Sequence, residues 1–152
     1  MKALIISDSH KLFSSIERII ENEEGINLII HAGDMHEDVE KIIEKYPNIP
    51  CEYVLGNNEF YVRDVPNDRV FMFSGKKIFL THGHRYGVKG GVFRVYTKAL
   101  ECGADVCVFG HTHEKFCEKE GDVWIVNPGT TWQSYAILNI ENGEIGIELK
   151  TS

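Results

Sequence analysis

The chain has 152 residues, with 16 Lys and Arg against 23 Asp and Glu, for a formal net charge of −7. This length suits one domain, so residues 1–152 are expected to form a single domain. Apolar runs reach only four residues, such as Val70 to Phe73, whereas a membrane span needs about twenty, and the acidic balance disfavours duplex nucleic acid as a partner. The opening MKALIISDSH does not resemble a signal peptide, so a cytoplasmic protein is expected.

The first sixty residues alternate between short apolar runs and amphipathic segments. The pattern predicts strands at 2–7, 27–31 and 51–55, and helices at 12–23 and 37–46. Gly25 and Pro47 follow the two helices as stop signals. This strand–helix–strand–helix–strand order predicts a parallel sheet with right-handed crossovers.

After Pro66 the pattern changes to short strands joined by the turn sequences SGKK, EGD and ENGE. One further helix is predicted at 91–102, with an inward face made of Val92, Val95, Tyr96, Ala99 and Leu100. The chain as a whole therefore reads as an α/β protein whose second half is mainly β.

Metal-capable side chains collect where the predicted strands end, which is where open α/β sheets bind their ligands. A lone Asp after a strand often forms a turn, and a lone His is often structural, so only their conjunction points to a site. Five successive strand ends carry such residues: Asp8 and His10, then Asp34, then Asn57, then His82 and His84, and finally His111 and His113.

These donors are too many for one ion. Mixed nitrogen and oxygen donors without a thiolate disfavour a structural zinc site and suit two ions such as Mn²⁺, Fe, Ni²⁺ or catalytic Zn²⁺. Two ions about 3.5–4 Å apart need a bridging ligand, which a carboxylate can provide. The residues alone do not decide between Asp8 and Asp34 as the bridge.

In their order along the chain, these motifs resemble those of the calcineurin-like metallophosphoesterase superfamily, and within it the small prokaryotic members of the YfcE/MJ0936 type. The resemblance covers nearly the whole chain and implies a four-layer α/β/β/α sandwich of two mixed sheets. It rests on DxH at 8–10, GD at 33–34, GN at 56–57, the single His82, GHTH at 110–113 and NPGT at 127–130.

The resemblance also implies roles for these residues. Asp34 would bridge two divalent ions and hold the nucleophilic hydroxide. The first ion would be held by Asp8, His10 and His113, and the second by Asn57, His82 and His111. Similar proteins are often activated by Mn²⁺ or Ni²⁺, and Fe, Zn²⁺ or Mg²⁺ are the alternatives.

The activity that the resemblance implies is hydrolysis of a small phosphodiester by attack of a metal-bridging hydroxide. Since histidines must be neutral to bind metal, activity is expected to fall below about pH 6. A phosphomonoesterase or nucleotidase of the same superfamily is the first alternative, although the sequence shows no cluster of positive charge for a dianionic monoester. A non-catalytic scaffold like the retromer subunit VPS29 is the second alternative. VPS29 has lost some of the metal-ligating residues, whereas all seven positions carry suitable ligands here.

One motif departs from the superfamily pattern, because GNHD is replaced by GNNE at 56–59. Asn58 cannot act as a general acid, and Glu59 is one methylene longer than the usual Asp, so both are expected to support the ligands. His84 is the candidate proton donor, with a supporting hydrogen bond to a ligand as the alternative. Arg85 is a candidate contact for the substrate phosphate, with surface solvation as the alternative.

The surroundings of the site are less well defined by the sequence. Loops 60–68 and 84–91 are expected to form the walls that select the substrate. An edge strand or the 60–68 loop could build a homodimer or homotetramer interface. Trp132 closely follows the NPGT stretch, so it is expected either to pack or to lie exposed near the mouth of the site.

Overall fold

The computed structural model describes residues 1–59 and 62–152, so positions 60 and 61 of the expected pocket wall and interface lie outside the described residues. The described residues form three α-helices, none of which is long and apolar enough to cross a bilayer. They are α1 (Phe13–Asn22), α2 (His36–Lys45) and α3 (Phe93–Glu101), with two short 3-10 helices at His84–Tyr86 and Val88–Gly90. The strands are β1 (Lys2–Ile6), β2 (Leu28–His31), β3 (Cys51–Tyr53), β4 (Asp68–Phe73), β5 (Lys76–Thr81), β6 (Val106–Val108), β7 (Phe116–Glu120), β8 (Val123–Asn127), β9 (Ser134–Glu141) and β10 (Glu144–Thr151).

Two mixed five-stranded sheets carry the fold. The first has the order β10-β9-β1-β2-β3, in which β1, β2 and β3 are parallel and the β9–β10 hairpin adds antiparallel to β1. The second has the order β4-β5-β6-β8-β7, in which β5, β6 and β8 are parallel and the two edge strands are antiparallel. The predicted parallel arrangement of the first three strands is confirmed.

The sheets pack face to face, and the helices cover their outer faces. Ile30, Leu80 and Val108 are fully buried between the sheets. Ile16 and Ile42 anchor α1 and α2 on the outer face of the first sheet, and α3 covers the second. This is the expected four-layer α/β/β/α sandwich, and it brings the carboxyl ends of the parallel strands of both sheets to one side.

The predicted inward face of α3 is wrong at one position, since Leu100 is 51% exposed. The helix has only nine residues and buries the stripe that contains Val95 and Ala99 against β6 and β8. Leu100 follows Ala99 by about 100° around the helix axis, which turns its side chain towards solvent.

A buried carboxylate ties the end of α1 to the first sheet. Glu23 accepts hydrogen bonds from the ammonium groups of Lys2 (2.7 Å) and Lys150 (2.6 Å) and from the Tyr135 hydroxyl (2.7 Å). Burial opposes the charge, but the three donors prevail and lower the pKa of Glu23 to about 2. Glu23 therefore joins β1, β9 and β10 through one charged group.

Candidate metal centre

The loops after the parallel strands meet at one side of the sandwich and are joined by backbone hydrogen bonds. The Asp8 amide donates to the Gly33 carbonyl (3.1 Å), which links the loops after β1 and β2. The Gly110 amide donates to the His82 carbonyl (3.0 Å), which links the loops after β5 and β6. The candidate ligands predicted from five separate strand ends are thus brought to neighbouring loops.

One group of donors surrounds Asp8. Single donor atoms of Asp8, His10, Asp34 and His113 all lie within 4.8 Å of one another. The Nε2 atom of His113 is 3.3 Å from Oδ1 of Asp8. Two carboxylates and two imidazoles at these separations form a set that can hold one divalent ion.

A second group is centred on the Nε2 atom of His82. This atom lies 3.0 Å from Oδ1 of Asn57 and 3.2 Å from Nδ1 of His111. It also lies 3.8 Å from Oδ2 of Asp34. The Asp34 carboxylate therefore belongs to the first group and borders the second, the arrangement that a bridging ligand requires.

The hydrogen-bond partners of His82 provide a test of whether a cation fits here. Its Nδ1 atom is 2.8 Å from the carbonyl of Ala32, so Nδ1 donates a hydrogen bond there, and in the neutral ring the lone pair is on Nε2. That lone pair faces the Asn57 oxygen, which is also an acceptor. Two acceptors at 3.0 Å repel each other unless a cation lies between or beside them, so the donor set fits a metal ion.

The two buried carboxylates give the same result. Oδ2 of Asp8 accepts hydrogen bonds from the Ser7 hydroxyl (2.6 Å) and the His111 amide (3.1 Å). Within residues 1–59 and 62–152, Oδ1 of Asp8, Oδ1 of Asp34 and Nε2 of His10 are buried without a hydrogen-bond partner. Burial raises the pKa of Asp8, a penalty on its charged form that a bound cation would offset.

Two of the surrounding imidazoles have lowered pKa values. Burial, reinforced by the neighbouring His82 and Lys89, lowers the pKa of His111 to about 4. Burial also lowers the pKa of His84, again with His82 as a neighbour. Neutral rings keep the lone pair that a metal ligand needs near pH 7.

The backbone at the candidate ligands is strained. Left-handed φ angles are rare for residues with a Cβ and concentrate where function requires them. Five candidate ligands have such angles: Asp8 (51°), His10 (48°), Asp34 (65°), His111 (70°) and His113 (65°). Local propensity therefore opposes these conformations, and the surrounding fold maintains them.

Close backbone approach explains the glycine of the GN motif. A Cβ on Gly56 would lie 2.1 Å from Oδ1 of Asp34 and 2.5 Å from the Asp34 amide. Only glycine lets the loop after β3 pass this close to the carboxylate that both groups share.

The remaining predicted site residues lie around these groups. The side-chain amide of Asn58 donates to Oδ2 of Asp34 (3.3 Å). The Glu59 carboxylate is buried and accepts hydrogen bonds from the backbone amides of Gly56 (2.9 Å) and His36. The centroid of the His84 ring lies 5.5 Å from that of His82 and 6.0 Å from that of His111. Arg85 is exposed in the first 3-10 helix.

One supporting residue received no role from the sequence. His31 ends β2 and is fully buried, where burial lowers its pKa to about 3. Its Nδ1 accepts from the Gly33 amide (3.1 Å), so Nε2 donates to the Ser9 hydroxyl (3.1 Å) and joins the loops that carry Asp8 and Asp34. Its place at the end of a buried strand was the available signal, since a buried polar ring needs partners.

Comparison with known proteins finds similar sequences over most of the chain. Residues 1–143 match the model of the calcineurin-like phosphoesterase superfamily domain. The probable metallophosphoesterase YsnB of Bacillus subtilis is 36% identical, over 93% of this chain and 86% of its own length. The phosphodiesterase MJ0936 of Methanocaldococcus jannaschii is 29% identical, over 85% of this chain and 83% of its own.

Solved structures share the fold. A predicted phosphoesterase from Streptococcus pneumoniae superposes with a TM-score of 0.82 at 24% identity, covering 99% of this chain and 88% of that one. Vps29 from Chaetomium thermophilum superposes with a TM-score of 0.78 at 15% identity, covering 100% and 95%. At these identities the likeness establishes the architecture only.

Proposed function

Since the chain belongs to the calcineurin-like phosphoesterase superfamily, we propose that it is a dinuclear metal-dependent phosphodiesterase that hydrolyses small phosphodiesters. The family and the phosphodiesterase name of the MJ0936 relative support hydrolysis of a phosphate ester. The observation that carries the dinuclear proposal is the Asp34 carboxylate, which lies within 4.8 Å of the donors around Asp8 and 3.8 Å from Nε2 of His82.

In this proposal Asp8, His10 and His113 hold one ion, and Asp34 is shared with the second. The second ion is held by Asn57, His82 and His111. When bound, two ions such as Mn²⁺ or Ni²⁺ would neutralise the phosphoryl oxygens and make a water nucleophile more acidic. The hydrogen bonds from Ser7 and the His111 amide orient Asp8 so that its free oxygen, Oδ1, faces the donors of His113 and His82.

Support around the ligands is assigned from the same contacts. Asn58 donates to Asp34 and fixes the rotation of its carboxylate. His84 has a lowered pKa, so its ring is mostly neutral at pH 7. A neutral ring is a weak general acid, which favours a hydrogen-bonding role for His84 over proton donation to the leaving group. Arg85 remains the proposed contact for a substrate phosphate.

The test uses metal-stripped protein and bis-p-nitrophenyl phosphate, with Mn²⁺, Ni²⁺, Zn²⁺ or Mg²⁺ added back one at a time. We expect two bound ions per chain by elemental analysis and metal-dependent turnover. Asp34→Asn, which keeps the size of the side chain and removes its charge, should lower turnover by more than about a hundredfold and reduce the metal content. Asp122→Asn, at an exposed turn between β7 and β8, is the matched control and should behave like wild type.

Other outcomes would support the alternatives. Faster turnover of p-nitrophenyl phosphate than of the diester would favour a phosphomonoesterase. Folded protein that binds two ions but turns over neither ester would favour a non-catalytic scaffold. Unchanged turnover in Asp34→Asn would contradict the bridging role of this carboxylate.

A further inference from the structure

A cavity of about 560 Å³ opens directly beside the candidate metal centre. Its wall includes His113, Lys115, Trp132, Gln133 and Ser134. We propose that this cavity is a subsite for a planar aromatic ring, such as a nucleobase, carried by one ester substituent of the substrate and stacked on Trp132. The proposal rests on the phosphodiesterase function proposed above and names the class of substituent that this enzyme would accept.

Trp132 is not buried in the core, since 48% of the residue is exposed to solvent. The residue that precedes it is anchored to the loop after β1. The amide and the hydroxyl of Thr131 both donate to the carbonyl of Ser7, at 3.2 and 2.9 Å. Ser7 immediately precedes Asp8, so the backbone next to Trp132 is joined to the segment that carries a candidate ligand.

The cavity adjoins the place where the substrate phosphate would bind. His113 lines the cavity, and its Nε2 atom lies 3.3 Å from Oδ1 of Asp8. A phosphate at the metal centre would therefore have one ester oxygen near the cavity entrance. The volume lies within the range of about 300–1,000 Å³ that small-molecule sites occupy.

The polar rim distinguishes a heteroaromatic ring from an aliphatic chain. Oε1 of Gln133 accepts a hydrogen bond from the Thr130 hydroxyl (3.1 Å). This bond occupies the oxygen of the Gln133 amide, so its NH₂ group is the part that can donate to a ligand. Lys115 and Glu114 also line the cavity and bring one further donor group and one acceptor group. A nucleobase offers a π-face for the indole and carbonyl oxygens and ring nitrogens for these donors, whereas an aliphatic chain would desolvate the donors without pairing them.

The first experiment compares two phosphates that differ by a base. Adenosine 5′-monophosphate and ribose 5-phosphate are titrated into Mn²⁺-loaded protein by calorimetry. Base stacking on an aromatic side chain predicts at least about fivefold tighter binding of the nucleotide. Trp132→Ala should abolish this preference and change the affinity for ribose 5-phosphate less than twofold, whereas Trp132→Phe should retain most of the preference.

The second experiment does not depend on metal or phosphate. The chain has two tryptophans, so nitrogen-15 spectra should contain two indole N–H signals, which Trp132→Phe assigns. In metal-free protein, adenosine should shift the Trp132 signal saturably, while ribose should not. Trp124 packs against the core between the sheets and serves as the internal control, since its signal should not move.

The outcomes separate this proposal from the proposed function. Equal affinity for both phosphates in wild type, or a Trp132 signal that adenosine leaves in place, would overturn the subsite even if the enzyme hydrolyses bis-p-nitrophenyl phosphate. A saturable Trp132 shift in a protein without metal-dependent hydrolysis would support a ring-binding cavity and contradict the phosphodiesterase.

Discussion

Replacement of His113 by glycine and, separately, by alanine measures the backbone strain at the candidate metal centre. His113 has a φ of 65°, and its side chain is 49% exposed. Both substitutions remove the same ring and the same donor atom. Only alanine keeps the Cβ that makes the left-handed conformation unfavourable. In metal-free protein, we therefore expect the glycine variant to be more stable than the alanine variant.

The size of the difference follows from two opposing effects. The Cβ clash in the left-handed region costs about 1–2 kcal/mol, which glycine removes. Glycine also gives the unfolded chain more conformational freedom, which costs about 0.5–1 kcal/mol relative to alanine. The net expectation is about 0.5–1 kcal/mol in favour of glycine, or about 1–4 °C in melting temperature for a chain of this size.

The assay is thermal and urea denaturation of both variants after removal of metal with a chelator. Glu40 is exposed in the middle of α2 and provides the matched control pair. There the order should reverse, because glycine in a helix is about 1 kcal/mol less favourable than alanine. If alanine at position 113 proved as stable as glycine, the argument that ligand positions store backbone strain would fail.

Three further expectations follow from the contacts. Gly56→Ala should lower metal affinity and turnover by at least about tenfold, because the new Cβ would lie 2.1 Å from Oδ1 of Asp34. Gly146→Ala is the control and should have no effect, because its Cβ would meet open space. Glu23→Gln should destabilise the protein by up to about 3 kcal/mol at pH 7, because the pKa of Glu23 is lowered from 4.5 to about 2. The difference in unfolding free energy between the two proteins is fully present above pH 4.5 and should disappear as the pH falls towards 2. Acid titration of the stability of both proteins measures it, and a difference that stays constant with pH would contradict the expectation. His31→Leu should lower metal affinity about tenfold or more, since it removes the hydrogen-bond partner of the Ser9 hydroxyl and of the Gly33 amide. Calorimetric titration with Mn²⁺ measures the affinity, and an unchanged value would refute the supporting role of His31.

Much of the architecture could be predicted from local patterns. The amphipathic pattern predicted a helix at 12–23, and Ile16, Ile19 and Ile20 are all buried on one face of α1. The helix boundaries shifted by a residue or two, and Leu12, included in the predicted helix, lies just outside it and is 45% exposed. Periodicity reports which face is buried, but it does not report where a short helix begins, since terminal residues gain little from burial.

The pairing of the two sheets was not available from periodicity. The βαβαβ pattern predicted one parallel sheet, and only the resemblance to a known superfamily implied a second sheet packed against it. Strands such as β5 and β6 are short apolar runs buried on both faces, so their sequences are compatible with several partners. Register between them depends on non-local packing.

The sequence by itself determined the identity of the candidate ligands, because each follows a predicted strand and carries a metal-capable side chain. Only the tertiary structure decided their distances and supporting contacts. The hydrogen bond from His82 to the Ala32 carbonyl joins residues fifty positions apart, and the amide of His111 reaches Asp8 across more than a hundred. Such contacts arise when two sheets pack, and local sequence patterns do not encode them, because propensity acts over a few residues whereas packing acts through space.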